Sequence, residues 1–154
     1  MHIAQFNIGR ARYALDDPQM SDFMGALAAI NALAERTPGF VWRLKDDTGE
    51  GSTGVKITED PRDIVNMTVW ETPEALEHFT WNKAHARIYN RRASWFEPHA
   101  TPSFVMWPIE IGTTPTPSEG LARLAHLNAH GSTDYAYAWD HLPHLKVWLT
   151  KQCG

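Results

Sequence analysis

The chain is nearly free of cysteine: among 154 residues only Cys153, one position from the C-terminus, carries a thiol. An internal disulfide and a cysteine metal cluster are both ruled out, and a reducing compartment is the expectation. Long apolar runs are missing too. No stretch reaches the roughly 18 apolar residues that a membrane-spanning helix needs. The opening MHIAQFNIGRARYALDDP lacks the charged and apolar regions of an export signal, so a cytoplasmic location without membrane association is expected. Basic residues never run beyond Arg91-Arg92, and 14 basic against 18 acidic side chains give a net charge of −4, so nucleic acid is not an expected partner. The chain also has no phosphate-cradling glycine motif, nucleophile elbow or metalloprotease motif, which argues against nucleotide hydrolysis and serine or zinc peptidase chemistry.

What is present is aromatic and imidazole-rich: seven tryptophans and eight histidines in a chain that is 43% hydrophobic. At this length a single packed domain is expected, with small molecules as its partners. Trp fills cores and also lines pockets for flat apolar ligands.

Alternation in HIAQFNI (2–8) predicts a first strand, FVWRLK (40–45) a second, DIVNMTVW (63–70) a third and SFVMWPIEI (103–111) a fourth. A helix is predicted from Asp17 to the TPG stop at 37–39, and another from Thr72, with Pro73 at its first position. The glycine-rich connection 46–63 reads as a long surface loop that could also serve as a lid. The order strand, helix, strand, strand, helix, strand defines an α+β, ferredoxin-like unit over residues 1–112, a four-stranded antiparallel sheet with helices on one face. Residues 113–154 then form a C-terminal appendage, a capped helix over 114–131 followed by an aromatic tail, packing on the domain or on a partner subunit.

Sorting the strands by face gives one dry set (Ala4, Phe6, Ile8, Phe40, Trp42, Leu44, Val65, Met67, Val69) and one decorated set (Gln5, Asn7, Arg43, Asn66, Thr68, Trp70). A bare dry face suits a second copy of the chain, so a homodimer is expected through it, and the decorated face then lies beneath the helices. There it would meet WNKAHARIYNRRASWF (81–96). Read as one helix with a bend near Asn82, this places Trp81, His85, Ile88, Arg92 and Trp95 on a single face. Polar groups on both walls mean either a ligand cavity or a satisfied structural network, with His85 on a carbonyl and Arg92 on a carboxylate such as Glu97 or Glu110. His126 and His130 have chelating spacing but lie opposite the leucine stripe of their helix, so no metal is assigned there.

The strings INALAERTPGFVWRL, NMTVWETPEALEHF, KAHARIYNRRASWFEP and RLAHLNAHG, spread over residues 2 to 133, resemble an uncharacterised bacterial family of the dimeric α/β-barrel superfamily. That group includes antibiotic-biosynthesis monooxygenases and haem-degrading oxygenases. The resemblance implies a homodimeric barrel with a pocket between sheet and helices in each subunit. From the haem branch it implies haem as a cofactor, with Asn7 and an iron-binding His85 in the site; the expected tryptophan position falls on Phe79, beside Trp81. From the monooxygenase branch it implies oxidation of a flat aromatic or apolar small molecule with no metal or added cofactor: His85 as base, Arg92 or Arg43 holding the anion, Asn7 donating to oxygen. Gln5, Arg43, Asn66, Trp70, Phe79, Trp81, Ile88 and Trp95 would line the site. A haem-binding protein and a non-catalytic structural or ligand-binding protein stand as the alternatives.

Overall fold

The computed structural model describes residues 1–46 and 51–145. Cys153 and the last part of the aromatic tail lie outside the described residues. Four strands, β1 (His2–Arg10), β2 (Phe40–Arg43), β3 (Asp63–Trp70) and β4 (Phe104–Ile109), form one antiparallel sheet in the order β2-β3-β1-β4. Helix α1 (Ser21–Arg36) joins β1 to β2. The chain between β3 and β4 forms three short helices, α2 (Pro73–Thr80), α3 (Lys83–Tyr89) and α4 (Arg92–Trp95). This is the ferredoxin-like α+β architecture. Helix α5 (Pro117–His130) follows, and an antiparallel bridge from Tyr137 to Met106 then covers the free edge of β4. Among the described residues no helix is long and apolar enough to cross a membrane.

Residues 81–96 do not form the single helix that their spacing suggests. The Asn82 side chain accepts from the Ala84 amide at 2.9 Å and starts a new helix, as an N-cap does. Farther on, the Arg91 amide bonds back to the Ile88 carbonyl, three residues away rather than four. That tight turn shifts the phase of everything after it, and the five residues of the expected stripe no longer share a face.

A bulge at Val41 produces a second departure. Phe40 pairs with Trp70 and Trp42 with Val69, so one extra residue sits between them on β2. Phe40 therefore turns to the helical side, edge-on to the Trp70 ring at 5.5 Å, while Trp42 and Leu44 stay on the dry side.

The dry face is not bare. Leu124 and Leu127 of α5 lie on Ala4, Phe6, Val65, Met67, Val69, Val105 and Trp107, and Val55 and Ile57 of the β2–β3 connection pack against the same cluster. Gly120 makes the contact possible, since a Cβ there would stand 2.4 Å from the Phe6 ring. The appendage thus occupies the surface expected to receive a second copy, which corrects the physical argument for dimerisation through that face. An amphipathic helix tethered to the same chain meets the apolar sheet without the entropy cost of association. The described part of the connection is likewise fastened to the sheet, with the Ser52 hydroxyl donating to the Val65 carbonyl at 2.7 Å.

At the far end of β1 and β3, Arg10 donates to both Asp63 oxygens at 2.8 and 3.1 Å, and the Thr58 hydroxyl adds a bond to Asp63 at 2.7 Å. Arg62 links Asp60 to Glu97. The sequence reading missed this network, because partners 53 residues apart leave no local signal. The Arg10 hydrogen bond holds the Asp63 carboxyl below its ordinary 3.8, and bonds from the Arg62 backbone and side chain do the same for Asp60. A depressed carboxylate stabilises the fold at pH values above 3.8 and loses that contribution as pH falls through the lowered folded value. Urea midpoints measured downward from pH about 5 are expected to fall along this limb, and Asp63→Asn is expected to flatten it.

Candidate functional site

On the helical face the sheet presents a polar strip between two apolar clusters. One cluster gathers Ile3, Trp70, Leu76, Phe79 and Met106; the other gathers Ala11, Met20, Phe23, Ile64 and Trp95, with Leu27 and Ile88 partly buried against it. Between them strand register sets Gln5 beside Thr68, Asn7 beside Asn66, and Arg43 on the other side of Thr68.

Gln5 is only 3% exposed. Its Nε2 donates to Asn66 Oδ1 at 2.8 Å and to Thr68 Oγ1 at 2.9 Å, and its Oε1 accepts from Asn7 Nδ2 at 3.4 Å. Thr68 Oγ1 also accepts from the Trp70 indole at 2.8 Å. Trp70, fully buried, stacks on Phe79 at 5.3 Å, and Phe79 in turn meets the His85 ring at 4.9 Å. Thr68 is the hub of this network, although the sequence placed it on the decorated face without a role. A threonine two residues before a strand tryptophan shares its face, which is the one local clue.

Burial pushes the His85 imidazole below its ordinary 6.5, with a hydrogen bond to the Thr80 backbone acting against it. The ring is therefore neutral at pH 7, and its Nδ1 is buried with no hydrogen-bond partner among the described residues. The sign of the linkage follows. The unfolded chain binds the proton more readily, so stability is highest above pH 6.5 and declines as pH falls from 6.5 toward the lowered folded value. Thermal unfolding at pH 7.5 and at about 5.5 should show this loss, and His85→Leu should abolish that part of it.

Arg43 lies along β2 with its side chain 9% exposed, pairs through Nε with Glu35 at 2.6 Å, and has a buried Nη1 without a partner among the described residues. Asn7 and Asn66 are half-buried. Arg92 is elsewhere: it is exposed, donates to the Tyr89 carbonyl at 3.0 Å and stacks over the Tyr89 ring at 3.9 Å, and neither Glu97 nor Glu110 pairs with it. Trp95 is buried against Phe23 in the second apolar cluster, with Arg91 over its ring. Trp81 closes the C-terminus of α2, half-buried. The structure thus brings together Gln5, Asn7, Arg43, Asn66, Trp70, Phe79 and His85, and moves Arg92 and Trp95 away from them.

Haem does not fit here. The Nδ1 of His85 is enclosed, Phe79 packs on the ring and Trp70 stacks on Phe79, so a porphyrin bound to that nitrogen would have to displace this stack. His126 stacks on His130 at 4.5 Å and edge-on to Tyr135 at 4.7 Å, and among the described residues no three His, Cys, Asp or Glu side chains group as metal ligands.

The ferredoxin-like α+β fold is shared with solved structures. A candidate antibiotic biosynthesis monooxygenase from Nitrosomonas europaea matches 73% of this chain and 94% of its own at 15% identity, with a TM-score of 0.50. A conserved protein from Methanosarcina mazei Go1 matches 71% and 94% at 9% identity, with a TM-score of 0.54. SnoaB, a cofactor-independent oxygenase from Streptomyces nogalater, matches 75% and 98% at 15% identity, with a TM-score of 0.48. By sequence, the chain belongs to the DUF3291 family, a domain of unknown function, over residues 2–152. No curated protein matches it.

Proposed function

We propose that this chain binds a flat, mostly apolar small molecule on the helical face of its sheet and oxidises it with molecular oxygen, as a monooxygenase does. The observation that carries the reading is the asparagine pair. Asn7 and Asn66 stand side by side on the two central strands, where helices normally seal the sheet, yet both keep accessible surface between two apolar clusters. A hollow with apolar walls and a few polar groups on its floor is the usual form of a small-molecule site.

In this reading an enolisable or phenolic substrate loses a proton to neutral His85. Arg43 and the one asparagine amide nitrogen that Gln5 leaves unspent hold the resulting anion, and the anion gives its electrons to oxygen. The carbon–oxygen bond forms as a hydroperoxide, which loses water to leave a carbonyl, so one oxygen atom enters the product and the other leaves in water. His85 suits the first step because its Nδ1 lone pair is unclaimed by the protein among the described residues, and in this reading a substrate reaches it as the Phe79 ring, 4.9 Å away, turns aside. The fold shared with the Nitrosomonas europaea protein supports the class of chemistry.

Oxygen uptake with anthrone, an enolisable tricyclic ketone, tests the proposal. A rate above buffer is expected, falling about 100-fold in His85→Ala while near-ultraviolet circular dichroism stays native. No enzymatic uptake with anthrone or with simpler naphthols would overturn the oxidation; unchanged uptake in His85→Ala would remove the base.

A further inference from the structure

The strip also decides which ends of Asn7 and Asn66 face away from Gln5, toward the proposed hollow. A carboxamide has one donor end and one acceptor end. Gln5 spends both hydrogens of its nitrogen on Asn66 Oδ1 and Thr68 Oγ1, and its oxygen accepts from Asn7 Nδ2. Asn66 therefore keeps its amide nitrogen for the hollow and Asn7 keeps its oxygen. Exchanging the oxygen and nitrogen of Gln5 reverses both asparagines together, since the Thr68 hydroxyl donates as readily as it accepts. In either sense the exposed pair shows one donor beside one acceptor. Two outward donors, or two outward acceptors, would leave one asparagine presenting a like group to buried Gln5, which costs more than the bond is worth.

We infer that Gln5 is a positioning residue that sets this opposed polarity, and that the ligand bears the complementary edge, a hydrogen-bond acceptor and donor on adjacent atoms of a flat ring. The inference rests on the proposed hollow and narrows its substrate class. Register fixes the spacing: Asn7 and Asn66 are direct cross-strand partners, so their Cβ atoms stand about 5 Å apart, and the two short side chains can reach neighbouring substituents of one ring. A lactam and a ring carbonyl beside a hydroxyl both present such an edge.

Calorimetric titration of the full chain with 2-quinolone and with tropolone, each beside its N- or O-methyl derivative, is the test. At least one parent is expected to bind with its methyl derivative tenfold or more weaker, and the parent that does so tells lactam from hydroxyketone. In Gln5→Met the discrimination between parent and derivative is expected to shrink to about twofold, a ratio that a merely structural role would leave alone. Should Gln5→Met not fold, Asn66→Ala, at a half-buried position, is expected to weaken the parent and spare the derivative. Methyl derivatives binding as well as their parents, no binding of either parent at millimolar concentration, or equal weakening of parent and derivative in Asn66→Ala would each overturn the inference. The titrations involve no oxygen chemistry. Anthrone turnover without methyl discrimination would refute this inference alone, and discrimination without turnover would refute the proposed oxidation alone.

Discussion

Trp70→Ala is expected to remove about 4 kcal/mol of folding stability, read as a drop in the urea midpoint at unchanged slope. The indole is fully buried. It stacks on Phe79, takes the edge of Phe40, and donates its N–H to Thr68. Truncation opens a cavity among these rings and also leaves Thr68 short of a donor in a buried setting, two costs that add. Since small domains are stable by about 5–15 kcal/mol, a third or more of the total is at stake. Trp70→Phe keeps the stack and loses only the N–H, so a loss of about 1 kcal/mol is expected. If the two variants proved equally stable, the indole hydrogen bond and the packing would both be misread.

Gly120→Leu is expected to dislodge α5 from the sheet. Leucine is the better helix former by almost 1 kcal/mol, so an isolated helix would gain from the change. In the folded chain a Cβ at this position would meet Phe6 Cδ2 at 2.4 Å and Cγ at 2.6 Å, and Phe6 is fully buried in a central strand with nowhere to retreat. Overpacking there is expected to cost about 3 kcal/mol, which outweighs the propensity gain. Displacing α5 uncovers Phe6, Val105 and Trp107, so light scattering should report self-association of the variant at concentrations where the parent chain does not associate. A variant as stable and as monodisperse as its parent would mean that α5 does not seat on Phe6.

Much of the fold is legible in local pattern. The alternation of Ala4, Phe6 and Ile8 against Ile3, Gln5 and Asn7 marks β1 and its two faces, because side chains in a strand reverse at every residue. Thr72-Pro73 and Thr116-Pro117 mark the starts of α2 and α5, where each threonine caps the helix as its type predicts. Alternation puts Phe40 on the dry face, and the structure differs because a bulge at Val41 is a property of pairing with β3 and not of β2 alone. Helical spacing puts Arg92 in line with His85, and the structure differs because a three-residue turn at Ile88–Arg91 costs little and leaves no mark on the spacing of apolar residues. The polar strip is half legible: alternation puts Gln5, Asn7 and Asn66 on one face, while the hub role of Thr68 needs the register that sets it against Gln5 and Arg43.

The chain by itself determines its element order, the chemistry of each strand face, the neutral-to-acidic surface and the lack of any cysteine framework, since all of these follow from neighbours within a few residues. Only the tertiary structure decided that α5 rather than a second copy lies on Phe6, that Trp70 and Phe79 carry a ring stack from Thr68 to His85, and that one glutamine orients two asparagines. Such contacts join residues tens of positions apart, and they depend on strand register and helix phase. A slip of one residue reverses the faces of a strand and turns a helix face by about 100°, while the local pattern stays the same.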